Sequence, residues 1–232
     1  SNHISSNLAY LKIELSEINF KDLKIIDLDY LADEHLNKIK LSIDQIYNNK
    51  VPLNSILFSA FLTDEKAGDY SFSCNYSKEN YLDFKGSFSD VSKGFEFNFH
   101  NTSFVSVSNK KWLINPYSNI SINSNGFIFE QLDFIKEDQA FTITGKIDKA
   151  PNLSFSFKEF NLDNINPFMP NPVMNFNGLL NGEIVFNPNT FPVLIGDFQV
   201  NDFNFNDHFL GNLTLNNYSN QYNDSLYTTG II

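Results

Sequence analysis

The sequence predicts an all-β protein: an elongated, strongly curved, mostly antiparallel meander with at most one short helix near its N-terminus. Three observations lead there. Hydrophobic side chains recur at every second position through most of the 232 residues, the segments between are short and rich in Gly, Asn, Asp, Ser and Pro, and one block of about four such segments occurs twice. Alternation is the pattern of a strand with one buried and one wet face. Short turns of those residue types join antiparallel neighbours, and recurrence of a whole block points to stacked architecture.

Taken in order, Leu11, Ile13 and Leu15 open the alternation. The stretch "DLDYLADEHLNKIKLSIDQI" then carries two periods. Leu28, Ala32, Leu36, Ile39, Ile43 and Ile46 fit helical spacing, whereas Ile39, Leu41 and Ile43 also alternate. A short helix over 29–37, packed over one end of the sheet, followed by a strand over 38–47 accommodates both. Tyr70, Phe72 and Cys74 come next, then Leu82, Phe84 and Phe88, then Phe95, Phe97 and Phe99, then Val105 with Val107 and Ile120 with Ile122. Beyond them lie Phe127 and Phe129; Phe141, Ile143 and Ile147; Leu153, Phe155 and Phe157; Ile184 and Phe186; Phe203 and Phe205; and Leu213 and Leu215.

The repeat appears when the segment from Ala67 is laid over that from Asn125. Gly68 falls on Gly126, Gly86 on Gly145, and Phe95, Phe97 and Phe99 on Leu153, Phe155 and Phe157, at offsets of 58 and 59 residues. The expected organisation is therefore N-terminal strands over 1–60, repeat units over 61–119 and 120–178, and a partial further repeat over 179–232, all in one continuous sheet. Gly86 and Gly145 share the parity of Phe84 and Phe88 and of Ile143 and Ile147. Removing bulk on the apolar side lets a sheet bend or another backbone approach, so both are expected to serve curvature.

Composition removes several function classes. Sixteen basic against 27 acidic side chains give a net charge of −11, which opposes nucleic acid. Every basic residue is a lysine, so the bidentate fork that recognises phosphate is missing. One cysteine rules out an internal disulfide or a cysteine zinc site, and Cys74, in phase with Tyr70 and Phe72, reads as a small buried hydrophobe. His3, His35, His100 and His208 are far apart and sit in polar stretches, so no metal and no general base is expected of them. Asp202, Asp207 and His208 lack the glycine-centred loop of a calcium site. "GLLNG", Gly178 to Gly182, matches a helix-packing spacing, but its polar flanks make it a strand. The chain reads as a non-enzyme without cofactors. No apolar run approaches the roughly 18 residues of a spanning helix. Without an initiator methionine, and ending in strand-like "YTTGII", it is expected to be an internal piece of a longer protein.

From Trp112 onward the order of features adds a resemblance. After the Trp come alternating strands, then "QAFTITGKID", then "LSFSFKEFNLDNINPF" with its acidic turn, then "GLLNGEIVF", "PVLIGDFQVNDFNFN" and "LGNLTLNN". This succession resembles the repetitive periplasmic part of a TamB-like protein of the AsmA-like superfamily, of the Bacteroidetes type, over roughly residues 60 to 225. The resemblance implies a sheet rolled lengthwise into a U-shaped groove, anchored in the inner membrane through the parent protein. Such a groove shields phospholipid acyl chains on their way to the outer membrane, or assists outer-membrane biogenesis with a barrel partner. The lining would come from Phe72, Phe84, Phe88, Phe95, Phe97 and Phe99, from Ile120, Ile122, Phe127, Phe129, Leu132 and Phe134, and from Phe141, Ile143, Ile147, Leu153, Phe155 and Phe157. The alternative from composition alone is a non-enzymatic β-sandwich, an adhesin or carbohydrate-binding module, because Asn, Ser and aromatics also build sugar-binding surfaces.

Overall fold

The computed structural model describes residues 10–20, 23–33, 37–48, 51–91, 94–169, 173–189, 194–220 and 225–231. They form seventeen strands, joined in antiparallel ladders. The fold is all-β and meandering, as the alternation predicts. The chain divides into two compact units, Ser1–Pro116 and Tyr117–Ile232. The expected repeat boundary at 119/120 lies close to this division, whereas those at 60/61 and 178/179 fall inside strands.

The first unit holds β1 (Tyr10–Phe20), β2 (Leu23–Asp33), β3 (Lys38–Asn48), β4 (Val51–Leu62), β5 (Ala67–Asn75), β6 (Tyr81–Val91), β7 (Gly94–Phe99), β8 (Phe104–Val107) and β9 (Lys110–Ile114). Consecutive strands pair from β1 to β6. The partner of β6 is split: Gly86 to Val91 face β7, and Tyr81 to Asp83 face β8, which turns back to β9. At the break Ser103, fully buried, replaces a strand residue. Its hydroxyl accepts from Lys85 N at 2.9 Å and donates to Lys85 O at 2.7 Å, so the buried backbone groups opposite the gap stay paired.

The second unit holds β10 (Asn119–Asn123), β11 (Gly126–Lys136), β12 (Gln139–Ile147), β13 (Asn152–Asn161), β14 (Phe176–Phe186), β15 (Leu194–Phe205), β16 (His208–Asn220) and β17 (Ser225–Ile231), each paired with the next. Between β13 and β14 the "NLDNINPF" segment makes two 3-10 turns, Leu162–Asn164 and Asn166–Phe168. Asn161 caps the first by accepting from Asp163 N at 2.8 Å. Asn166 then clamps the start of β14, accepting from Phe176 N at 3.0 Å and donating to Phe176 O at 2.9 Å.

Bulges keep the two faces in phase. In β11 the step from Phe129 to Leu132 spans three residues while β12 advances two, from Gly145 to Ile143. The same happens between Phe157 and Phe160 in β13 and between Val200 and Phe203 in β15. Each inserted pair is polar: Glu130–Gln131, Lys158–Glu159 and Asn201–Asp202. An extra residue leaves a backbone N–H outside the ladder. Asparagines on the next strand take up two of these, Asn181 accepting from Glu159 N at 2.8 Å and Asn212 from Asp202 N at 3.0 Å. Glu159 and Asp202 have φ of 47° and 52°, a strained region that such side-chain bonds help to hold.

One expectation needs correction. Residues 29–33 continue β2 and start no helix; residues 34–36 lie outside the described residues. Tyr30 and Leu28 are flanked by Ile13 and Leu15 of β1 and by Leu41 and Ile43 of β3. Ladder bonds on both sides outweigh a few tenths of a kcal/mol per residue of helix preference. The expected strand over 38–47 is β3. The repeat, for its part, holds in strand order but not in register. Gly86 pairs with Phe99, at the end of β7, whereas Gly145 pairs with Leu153, near the start of β13. Nor are the glycines equivalent. Gly145 has φ +111°, while Gly86 has ordinary backbone and is needed because a Cβ would overlap the carbonyl oxygen of Asn98.

Gly145→Ala should destabilise the chain by about 3 kcal/mol, since it combines a left-handed φ with overlap on the Asn152 carbonyl. Gly211→Ala, at φ +91° with open space around it, should cost about 1 kcal/mol. Equilibrium denaturant unfolding of both variants measures the difference, and equal losses would contradict the packing assignment.

Candidate functional site

Register places every expected lining residue on the apolar face of its own unit. In the second unit one cross-strand row runs Phe134, Phe141, Phe157, Gly182, Phe198, Leu215, and its neighbour runs Leu132, Ile143, Phe155, Ile184, Gly196. Ile120 and Ile122 on β10 face Phe129 and Phe127, which in turn face Gly145 and Ile147, and Leu153 also lies opposite Gly145. From β10 through β15 this face is apolar except at the β11–β12 turn end, where Lys136 pairs with Gln139. The row between, on the opposite side of the sheet, reads Asp133, Thr142, Ser156, Glu183, Asp197, Asn216. Within it Asp133 is buried and satisfied, accepting from Thr142 Oγ1 and Gln131 Nε2 at 2.8 Å.

The first unit repeats the arrangement. A row runs Ile13, Tyr30, Leu41, Phe58, Phe72, Phe84, and beside it Phe88 faces Phe97 while Gly86 lies between Tyr70 and Phe99. The Tyr70 ring covers Gly86 and meets Phe97 edge-on at 5.3 Å. Phe95 lies at the exposed end of the face, 47% accessible. Ile43, Ile56 and Cys74 are buried beside Leu28, Leu41, Phe72 and Leu82.

Side-to-side packing holds the rings. Phe141 touches Phe134, Phe155 and Phe157 at centroid distances of 5.7, 6.1 and 5.2 Å, and Phe157 touches Phe160 at 5.4 Å. These partners lie on the same or adjacent strands, which is packing within one layer. Among the described phenylalanines only Phe88, Phe99 and Phe160 are buried, and Phe127 and Ile147 remain 45% and 43% exposed. A filled sandwich would cover both sides of such rings. The apolar face is a packed but incompletely covered layer.

Sequence reasoning missed part of this face: Phe160, Leu180, Phe198 and Val200 in the second unit, and Tyr30, Leu41 and Phe58 in the first. Phe160 falls out of strict alternation because a bulge precedes it. The readable signal is a polar pair between two apolar residues, as in "FKEF" and "VNDF".

Among the described residues no three His, Cys, Asp or Glu side chains are grouped to hold a metal ion. His100 and His208 are exposed; His3 and His35 lie outside the described residues. No helix of the described residues is long and apolar enough to cross a membrane. A scan against protein-family models, a search of curated proteins and a search of solved structures each find no match to the chain.

Two buried titratable groups, Tyr70 and Cys74, belong to the apolar face. Burial pushes both the Cys74 thiol and the Tyr70 hydroxyl up from their ordinary values of 9.0 and 10.0, and Tyr70 also donates to Asn98 O at 3.3 Å. The folded state favours their neutral forms. Their contribution is therefore complete below pH 9 and declines as pH rises past the unfolded values. The urea midpoint should be flat from pH 7 to about 8.5 and fall above pH 9. Tyr70→Phe should remove the part of the decline that sets in above pH 10, and native Cys74 should stay unreactive to a disulfide reagent at pH 8.

Proposed function

We propose that the chain is a segment of a periplasmic lipid-conducting protein of the TamB-like type. Its apolar faces would line a groove that shields phospholipid acyl chains on the way to the outer membrane. The parent protein would be anchored in the inner membrane, with an outer-membrane barrel as a further partner and no nucleic acid or cofactor. One observation carries this reading: an apolar layer continues across successive strands while most of its aromatic rings stay partly exposed.

The energetics favour such a layer. Moving hydrocarbon through water costs about 0.8 kcal/mol per CH₂, so a chain of fifteen methylenes is opposed by about 12 kcal/mol. A wall of interchangeable apolar positions lowers that barrier without a specific polar contact. Along the second unit, β10 to β16 cover six strand spacings of about 4.8 Å, or about 29 Å of contour. That exceeds the roughly 15 Å depth of one leaflet's hydrocarbon. The second reading, a carbohydrate-binding β-sandwich, draws on Tyr117, in a turn, and Phe209, at the start of β16, which are 91% and 67% exposed.

Strand alternation supplies an internal control. A photo-crosslinking amino acid at Phe129, Ile143 or Phe155 should capture phospholipid in cells, whereas the same group at Thr142 or Ser156, one residue away on the polar face, should capture at least tenfold less. Equal labelling from both faces, or none from the apolar face alongside binding to a glycan array, would replace this reading with the sandwich.

A further inference from the structure

The outer edge of the first unit is the strand β1. Among the described residues of that unit its one ladder partner is β2, so the N–H and C=O groups along its other side face no strand. Folded proteins blunt such an edge with proline, a bulge or a very short strand. β1 has none of these. It runs eleven residues without proline or glycine, and from Leu11 to Leu15 it tracks β2 residue for residue, from Ala32 to Leu28.

The apolar layer is also poorly covered at this edge. The ladder row that starts at Leu15 continues inward through Leu28 to Ile43 and Ile56, which are buried. On β1 itself, Leu11 and Ile13 are 45% and 37% exposed. A further strand laid along β1 covers them and pairs the open backbone groups, the usual mode of strand addition to a sheet edge.

The order of side chains says which strand fits. Residues 11–15 read Leu-Lys-Ile-Glu-Leu, apolar on one face with Lys12 and Glu14 on the other. An antiparallel pair of two such strands centred on Ile13 sets Ile13 against the partner's Ile13, Leu11 against the partner's Leu15, and Lys12 against the partner's Glu14. Apolar residues then meet apolar residues, and each charge meets its opposite. A register slipped by one residue sets apolar side chains against polar ones. One slipped by two sets Lys12 against the partner's Lys12, or Glu14 against the partner's Glu14, and like charges directly opposite are unfavourable. Lys12 and Glu14 are ion-paired within their own strand and each stays about half exposed, which leaves room for a second contact. Glu14 also faces Asp29 across the ladder, a like charge that a lysine on its outer side offsets.

We propose that β1 is a homodimerisation edge, on which a second copy of this chain pairs antiparallel about a two-fold axis at Ile13. The contact is self-complementary and closed, so it makes dimers and not filaments. With the axis perpendicular to the sheet, the apolar faces of the two first units lie on the same side. The inference does not depend on the lipid-conducting reading.

Sedimentation velocity of the 232-residue chain over a rising concentration series tests the edge, with charge reversals as probes. The unaltered chain should form dimers. K12E and E14K should each weaken dimerisation at least tenfold, since the first sets acids against acids and the second lysines against lysines. Mixed in equal amounts, the two variants should form a heterodimer at least tenfold more tightly than either pairs with itself, and the K12E/E14K double variant should dimerise as the unaltered chain does. Loss of the intrachain Lys12–Glu14 pair is repaired in the double variant but not by mixing, so the mixture isolates the contact between copies. An unaltered chain that stays monomeric, single variants that dimerise undiminished, or a mixture that stays monomeric would overturn the assignment.

Discussion

The rest of the structure depends on keeping one face of each strand apolar across every ladder. A strand's side chains alternate with period two, so a slip of one residue would send a whole set of phenylalanines to the wet side. The pairing here avoids that slip by inserting residues in compensation. Where β11, β13 and β15 are bulged, the three-residue step brings Leu132, Phe160 and Phe203 back to the face that carries Phe129, Phe157 and Val200. Two of the backbone groups left over are paired by Asn181 and Asn212. The asparagine content of the chain thus has a structural use, distinct from any sugar-binding surface.

That constraint also decides what kind of interior is possible. Phenylalanines in successive strands stack beside one another, as around Phe141, and glycines lie among them where another ring or backbone needs the space. Tyr70 over Gly86 is one instance; Gly182 between Phe157 and Phe198 is another. The resulting layer is cohesive by itself while leaving ring surface accessible. A layer of this kind suits contact with flexible hydrocarbon better than discrimination between polar ligands, since it offers many equivalent apolar positions and few directional groups. At the edge of the first unit, the same alternation puts Leu11, Ile13 and Leu15 of β1 on the apolar face and Lys12 and Glu14 on the other.

Alternation in the sequence was enough to identify the class, most strand positions and the face on which the eighteen named apolar residues lie, because half-burial of an antiparallel strand writes its period directly into residue polarity. Cys74 as a buried hydrophobe and "GLLNG" as strand followed from the same period. Three features were decided only by tertiary pairing. Residues 29–33 became strand because neighbours on both sides supply ladder bonds that local helix preference cannot match. The bulges, and with them Phe160 and its companions, depend on which partner advances two residues while the other advances three. The place of β1 at an edge follows from which strands pair, and the spacing of its own residues does not separate an outer strand from an inner one.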